Sequence, residues 1–375
     1  MVPTVTVDLA DLAGMEENDT RTVAATFSDP GWQDTYSGNV DLGTSYRPDV
    51  NPAVAVTTQG AKGPGDSGGA TADQGTATAQ VTYGDNGTYT VTVDVTDDDT
   101  GTGSDDAQAT VANIDPTSVI DTSGEQVYDG VSAFILEAGE DLTVPASSED
   151  PGSDDLTFVW DWDGALNGET PDEQTSLNDA GVGPDPALSP SIHPRNASLE
   201  ATHAYSDACA YDLDVTVTDD DLGSGSDSAV VLITGNATES KGHGWWLNQY
   251  RPKGRTFDDA TLQCYLDIVN YLSLVFSEGK DADSRADATL VLQNPAKSPA
   301  DVIFDQHALG AWLNFANGSV KLDTPVDSVG GPAADSTFGA VMFAAETIRM
   351  NPASTSAQIK AQKDIVERIA TQSAP

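Results

Sequence analysis

The residues best suited to chemistry in this chain are aspartates that recur at two equivalent places. Each copy has three consecutive aspartates after an alternating strand pattern and one more in an Asp-Pro-Gly turn. The residues are Asp29, Asp97, Asp98, Asp99, Asp150, Asp219, Asp220 and Asp221. Adjacent carboxylates repel one another unless a cation or water lies between them, and calcium prefers about six to eight oxygen ligands. The pattern therefore predicts calcium at these aspartates, and the alternative interpretation is two solvated acidic turns.

A repeated strand pattern positions these carboxylates, once at 89–105 and again at 211–227. In both segments every second residue is apolar, beginning with Tyr89 and Tyr211. Because side chains alternate between the two faces of a strand, this spacing predicts one buried face and one Thr/Asp-rich face in water. An internal repeat of this kind predicts two equivalent β units.

The chain divides into three parts. Residues 1–115 and 116–235 have short strand patterns, frequent turn signals and little helical periodicity, which predicts an antiparallel β-sandwich for each part. In residues 236–375 the period changes, and this part is predicted to be a small α-helical C-terminal domain. The fold class is therefore mostly β with a C-terminal α domain.

Asp85-Asn-Gly87 is a strong turn signal in the first part. It lies between alternating patterns at 77–83 and 89–96. The sequence therefore predicts that these two strands form a hairpin.

In the third part, apolar residues recur every three or four positions in four segments. They predict helices at 262–276, 303–315, 338–348 and 359–369. We expect these helices to pack with their apolar stripes inward as a small bundle.

Several motifs in residues 1–235 resemble PKD (polycystic kidney disease) repeats. They are the Ser-Asp-Pro-Gly turn at 28–31, Trp-Asp-Trp-Asp-Gly at 160–164, His-Ala-Tyr at 203–205, and the strands that end in three aspartates. The first module lacks the histidine and has Val-Asp-Leu-Gly in place of the tryptophan motif. The resemblance implies immunoglobulin-like sandwiches of secreted and cell-surface proteins, where they serve as spacers, adhesion elements or accessories of degradative enzymes.

The third part resembles a helical C-terminal region of secreted prokaryotic proteins that opens with Gly-Tyr/Phe-Trp-Lys-Asn-His. The resemblance rests on Gly-Trp-Trp-Leu-Asn at 244–248 and on the segment 307–318. Leu247 and Gln249 replace the lysine and histidine of that pattern. The resemblance implies no known chemistry.

Charge restricts the classes of partner. The chain has 16 Lys and Arg against 60 Asp and Glu, a formal net charge of −44. This excess argues against nucleic acid and anionic membrane surfaces, because phosphate contacts need a cationic patch. No apolar run approaches the ~20 residues of a membrane helix, so no membrane insertion is expected. The acidity suits cation binding, solubility outside the cell or adaptation to high salt.

The two cysteines and five glycosylation sequons bear on an extracellular address. Cys209 and Cys264 form either a disulfide that ties the second module to the helical part, or two unpaired thiols. Because Met1 leads directly into a strand pattern, we expect an engineered start or an excised fragment of a secreted protein. The sequons give candidate N-glycosylation sites at Asn18, Asn86, Asn196, Asn236 and Asn317.

No enzyme motif is visible. The four histidines do not cluster in sequence, and neither a nucleophile elbow nor a phosphate loop is present. We therefore predict a non-catalytic extracellular or cell-surface protein, structural or adhesive, that assembles with itself into a fibre or surface layer or binds other surface proteins or polysaccharide. The alternative is a carbohydrate-binding accessory region of a secreted polysaccharide-degrading enzyme, in which exposed tryptophans stack on sugars.

Overall fold

The computed structural model describes residues 2–30, 34–43, 54–58, 73–128, 130–164, 173–177, 195–252, 255–295, 297–331 and 333–372. The predicted fold class is confirmed: β-sandwich sheets come first and a helical region follows. The strands are β1 (Thr4–Val7), β2 (Met15–Glu16), β3 (Thr20–Asp29), β4 (Tyr36–Asp41), β5 (Ala55–Thr58), β6 (Asp73–Thr82), β7 (Gly87–Asp97), β8 (Thr102–Ala112), β9 (Val119–Ile120), β10 (Gln126–Tyr128), β11 (Val131–Glu137), β12 (Asp141–Asp150), β13 (Leu156–Asp161), β14 (Glu173–Leu177), β15 (Arg195–Ala204), β16 (Ala210–Thr218), β17 (Ser224–Thr234), β18 (Pro325–Val326) and β19 (Ser336–Thr337).

The first sandwich packs two four-stranded sheets, with strand orders β1-β3-β6-β5 and β2-β8-β7-β4. Val91, Val93 and Val95 of β7 are at most 2% exposed, while Thr92 and Asp94 between them are half-buried. The alternation predicted from sequence is therefore the alternation between core and surface.

The second sandwich packs a sheet of order β15-β12-β9 against one of order β10-β11-β17-β16-β13-β14. Leu213, Val215 and Val217 of β16 are fully buried, as are Phe158 and Trp160 of β13. The large aromatic residues of this module therefore fill its core.

The predicted hairpin around Asp85 is wrong. β6 pairs with β3, whereas β7 pairs with β8 and β4, so the two strands lie in different sheets. The connection crosses from one sheet to the other. Tyr83 and Tyr89 lie on either side of it, and their rings stack with centroids 4.2 Å apart. The turn signal was real, but the pairing depends on core packing that the local sequence does not encode.

The described part of the helical region contains six α-helices, where sequence predicted four. They are α1 (His243–Tyr250), α2 (Asp259–Leu272), α3 (Arg285–Leu292), α4 (Ala300–Ala316), α5 (Phe338–Met350) and α6 (Ser356–Ile369). The missed helices, α1 and α3, have 8 residues each, so each offers little more than two turns in which periodicity can be recognised.

The burial of the central helix α4 also differs from the prediction, which was a single apolar stripe facing inward. Its residues from Phe304 to Ala316 are all buried, and a helix that is buried on every side has no apolar stripe to detect. Three polar side chains inside it, those of Asp305, Gln306 and Asn314, make hydrogen bonds to neighbouring elements. Asn314 Oδ1, for example, accepts from Trp246 Nε1 at 3.0 Å.

The helical region shares a hydrophobic core with the second sandwich. Tyr128 packs edge-on against Trp312 with ring centroids 5.2 Å apart, and Ala133 and Leu232 belong to the same cluster. Tyr271 donates a hydrogen bond to the Ser132 carbonyl at 2.8 Å. Among the described residues, no helix has both the length and the apolar character needed to cross a bilayer.

Candidate metal centre

The two predicted acidic turns have the same backbone geometry. Asp97 Oδ1 accepts from Gly101 N, and Asp219 Oδ1 accepts from Gly223 N, both at 2.7 Å. Thr100 has a φ of 74° and Leu222, its equivalent, a φ of 75°. The first aspartate of each triplet therefore closes a hairpin loop that contains a left-handed residue.

At the tip of the first sandwich, the fold brings the candidate ligands Asp29 and Asp97 together. Their carboxylate oxygens come within 4.8 Å of each other and of Asp34, which sequence reasoning did not select. Asp98 instead accepts a hydrogen bond from Thr35 N at 3.1 Å. Asp99 is exposed and belongs to no group of candidate ligands in the described part of the chain.

In the second sandwich, Asp150 and Asp219 also lie together, and the third member of their group is Asp154. All three are buried, and their oxygens lie within 4.8 Å of one another. Asp220 accepts from Asp155 N at 3.0 Å. The predicted residue Asp221 belongs to a different group.

The group of carboxylates that contains Asp221 joins the two sandwiches. It consists of Glu17 and Asp85 from the first sandwich and Asp154 and Asp221 from the second, again within 4.8 Å. Asp154 is thus a member of both groups. Because β7 has Asp97 at one end and begins just after Asp85, the tip of the first sandwich lies at the opposite end of this strand from the junction.

Hydrogen bonds hold the two modules together around these carboxylates. Ser153 donates from its backbone N and from its hydroxyl to the Gly84 carbonyl, at 2.7 and 2.9 Å. Asn113, in the linker, donates through Nδ2 to Asp219 Oδ2 at 3.0 Å. Ile114 N donates to Glu17 Oε2 at 2.9 Å. The linker and the first turn of the second sandwich therefore fix the positions of the acidic side chains.

Burial dominates the electrostatics of the junction. It raises the pKa of Glu17 to about 8, although the hydrogen bond from Ile114 opposes the shift. Burial raises the pKa of Asp154 to about 9, and the charge of Glu17 adds to the effect. Burial also raises the pKa of Asp150 to about 6. Desolvation disfavours a carboxylate's charged form, so these groups need either a proton or a cation.

Two glycines make room for the carboxylates. A Cβ at Gly152 would lie 2.9 Å from Glu17 Oε2 and 3.0 Å from oxygens of Asp150 and Asp154. A Cβ at Gly223 would lie 2.3 Å from Asp219 Oδ2. Glycine at these positions allows the backbone to approach the acidic groups closely.

The other predicted sites have separate locations. Cys209 and Cys264 form a disulfide between the second sandwich and α2. The sequon residues Asn18, Asn196 and Asn236 are exposed and Asn86 is half-buried. The structure contradicts the candidate glycosylation site at Asn317. This residue is 6% exposed and its Oδ1 accepts a hydrogen bond from Tyr265 at 2.9 Å, so the folded chain has no space for a glycan there.

A cleft in the helical region brings together two histidines that sequence reasoning treated separately. The rings of His243 and His307 lie 4.5 Å apart, and Lys363 and Glu367 help to line a cleft of about 500 Å³. His193 lies outside the described residues. Five tryptophans were candidates for sugar stacking. Trp160, Trp162, Trp246 and Trp312 are at most 1% exposed, and Trp245 is half-buried.

No protein-family model and no curated protein matches this chain. Among solved structures, it is similar to the PKD domain of an M14-like peptidase from a Thermoplasmatales archaeon, with 12% identity, a TM-score of 0.22 and coverage of 32% of this chain and 98% of that domain. It is also similar to the Yersinia pseudotuberculosis adhesin InvE, with 14% identity, a TM-score of 0.28 and coverage of 64% of this chain and 60% of that one. For red sea bream transglutaminase the identity is 13%, the TM-score is 0.22, and the match covers 62% of this chain and 31% of that one. Likenesses at this level concern the fold and carry no argument about function.

Proposed function

We propose that this chain is a structural or adhesive segment of an extracellular or cell-surface protein, with no catalytic step of its own. The observation that carries the proposal is how its units are joined. The sandwiches meet across a hydrogen-bonded junction, and the helical region is attached to the second sandwich by a disulfide and a common core. Fixed connections between successive units suit a protein that must hold a distance or carry a load.

The disulfide supports the extracellular part of the proposal, because disulfides persist in oxidising compartments and are rare in the cytosol. The strongly negative charge agrees with a protein that must stay soluble outside the cell. For the adhesive part, β1 pairs with β3 and lies at the edge of its four-stranded sheet. Sheet edges are places where a second copy or another surface protein can add a strand.

Immunogold labelling of intact cells that make the protein tests this function. We expect antibodies against the chain to place gold on the outer surface, arranged along filaments or over a continuous layer. Gold found in the cytoplasm of sectioned cells, and absent from intact ones, would contradict the proposal. Recovery of the protein free in the medium with a polysaccharide-degrading activity would contradict it in favour of the accessory role.

A further inference from the structure

The junction between the sandwiches encloses carboxylate oxygens that accept no hydrogen bond from the protein. Asp154 is 1% exposed, and neither of its oxygens accepts a hydrogen bond. Glu17 is 2% exposed, and its Oε1 is likewise without a donor, as is Oδ2 of Asp221. A buried carboxylate in this condition is unfavourable, and buried charges in proteins are normally paired or bound to metal.

The arrangement of these oxygens indicates which ligand completes the site. Glu17, Asp85, Asp154 and Asp221 each direct one oxygen into a region where all four lie within 4.8 Å of one another. Calcium binds through six to eight oxygens in flexible geometry, and carboxylates are among its usual ligands. Magnesium demands near-ideal octahedral geometry and usually keeps several waters, and zinc prefers nitrogen and sulfur ligands. A set of four carboxylate oxygens with no nitrogen or sulfur ligand, two of them from side chains at most 2% exposed, therefore favours calcium.

The surrounding charge also favours a cation. Asp150 and Asp219 lie within the same 4.8 Å limit of Asp154, so the acidic groups form one continuous centre. Arg195, a buried base at this end of the second sandwich, pairs with Asp155 at 3.7 Å. The carboxylates that face each other across the junction come from different modules, and when they are charged their mutual repulsion pushes the modules apart unless a cation intervenes.

We propose that calcium binds between the two sandwiches on Glu17, Asp85, Asp154 and Asp221, with Asp154 bridging to Asp150 and Asp219, and that it fixes the orientation of one module against the other. The ion is shared: each module supplies two of the four ligands, so neither module alone forms the site. This proposal does not depend on the surface location proposed above.

Calorimetric titration of the full chain with calcium chloride, after removal of bound metal with a chelator, tests the shared site. All proteins contain Asp97→Asn, which removes a ligand of the separate group at the opposite end of the first sandwich. We expect binding in the range of about 0.1–1 mM, as in extracellular calcium modules. Glu17→Gln in one module and Asp154→Asn in the other should each weaken binding at least about tenfold, whereas Asp106→Asn, an exposed aspartate, should leave it unchanged.

Thermal melting with chelator and with calcium distinguishes loss of binding from loss of folding. Calcium should raise the melting temperature of the Asp97→Asn parent by several degrees and that of the two junction variants by much less. In chelator, Asp154→Asn should melt at or above the parent temperature, because a neutral amide needs no counter-ion. The proposal fails if calcium up to about 10 mM neither binds nor stabilises the parent. It also fails if Glu17→Gln binds like the parent, since the ion then belongs to the second sandwich alone.

Discussion

At the scale of single residues, Asp154 and Asp99 show how the fold gives different properties to the same side chain. Both lie in acidic turns, but Asp154 is 1% exposed and Asp99 is exposed. Burial changes the cost of a charge far more than the number of neighbouring acids does. The chemistry of this chain therefore depends on which carboxylates the module contacts cover.

His307 gives a residue-scale prediction about pH. Burial lowers its pKa to about 4, and the neighbouring His243 adds to the effect, so the folded chain favours the neutral ring. The ordinary value in an unfolded chain is about 6.5. The stabilisation is therefore complete above about pH 6.5 and is lost as the pH falls towards 4, because only the unfolded state then takes up the proton. Lys363, Asp364 and Glu367 of α6 also face this ring.

His307→Gln removes this titrating group and keeps a polar side chain of similar size. We expect the difference in unfolding free energy between His307→Gln and the parent to change between pH 7.5 and pH 5, in the direction that favours the variant at the lower pH. Urea denaturation at both pH values measures this difference. Equal differences at the two values would show that the ring is protonated in the folded chain as readily as in the unfolded one.

The candidate site could be predicted only in part at this scale. The repeat selected Asp29, Asp97, Asp150 and Asp219 as candidates, and the structure brings them together as two equivalent pairs, because residues at equivalent places in equivalent sandwiches meet in equivalent ways. Glu17 and Asp85 were not found, because their role comes from contact with another module. A glutamate just after a short strand and an aspartate in a turn have no local pattern that distinguishes them from other solvated acids.

At the scale of secondary structure elements, the positions of strands were predicted well from the alternation of apolar and polar residues. The pairing of strands was predicted poorly, because it depends on topology. β7 and β16 were recognised from their apolar residues alone. The assignment of β6 and β7 to different sheets was missed, because both strands alternate and the pattern does not name the partner. Helices α1 and α3 were missed because each has only 8 residues.

The alternation in β7 gives a prediction for this scale. Val93 faces the core at 2% exposure and Thr92 faces outward. Val93→Thr keeps the shape but buries a hydroxyl, which should lower the unfolding free energy by about 1–3 kcal/mol. The matched change Thr92→Val, on the other face of the same strand, should alter it by less than about 0.5 kcal/mol. Urea denaturation followed by tyrosine fluorescence measures both, and equal costs for the two variants would contradict the assigned faces.

At the scale of the whole molecule, the two joints use different physical means. The second sandwich meets the first through hydrogen bonds and acidic side chains, whereas it meets the helical region through a common apolar core. Cys209 occupies the position that Gly87 has in the first module. The equivalent connection between sheets therefore adjoins the acidic junction in the first module and carries the disulfide to α2 in the second. One end of the same sandwich is thus suited to ions and the other to a covalent and hydrophobic attachment.

This difference predicts opposite responses of the joints to reductant and chelator. The disulfide closes a loop with a sequence separation of 55, and a loop of that length stabilises a protein by about 3–4 kcal/mol in the chain-entropy model. The double substitution Cys209→Ser with Cys264→Ser should lower the melting temperature of the helical region and make the variant insensitive to reductant, which should still destabilise the parent. It should not abolish the attachment, because Tyr128, Ala133 and Leu232 still pack against the helices.

Limited proteolysis of the parent and the double variant, with and without calcium, checks this prediction. Cleavage between the sandwich and the helices should increase in the double variant and be independent of calcium. Calcium-dependent protection of that segment would place the ion at the wrong joint.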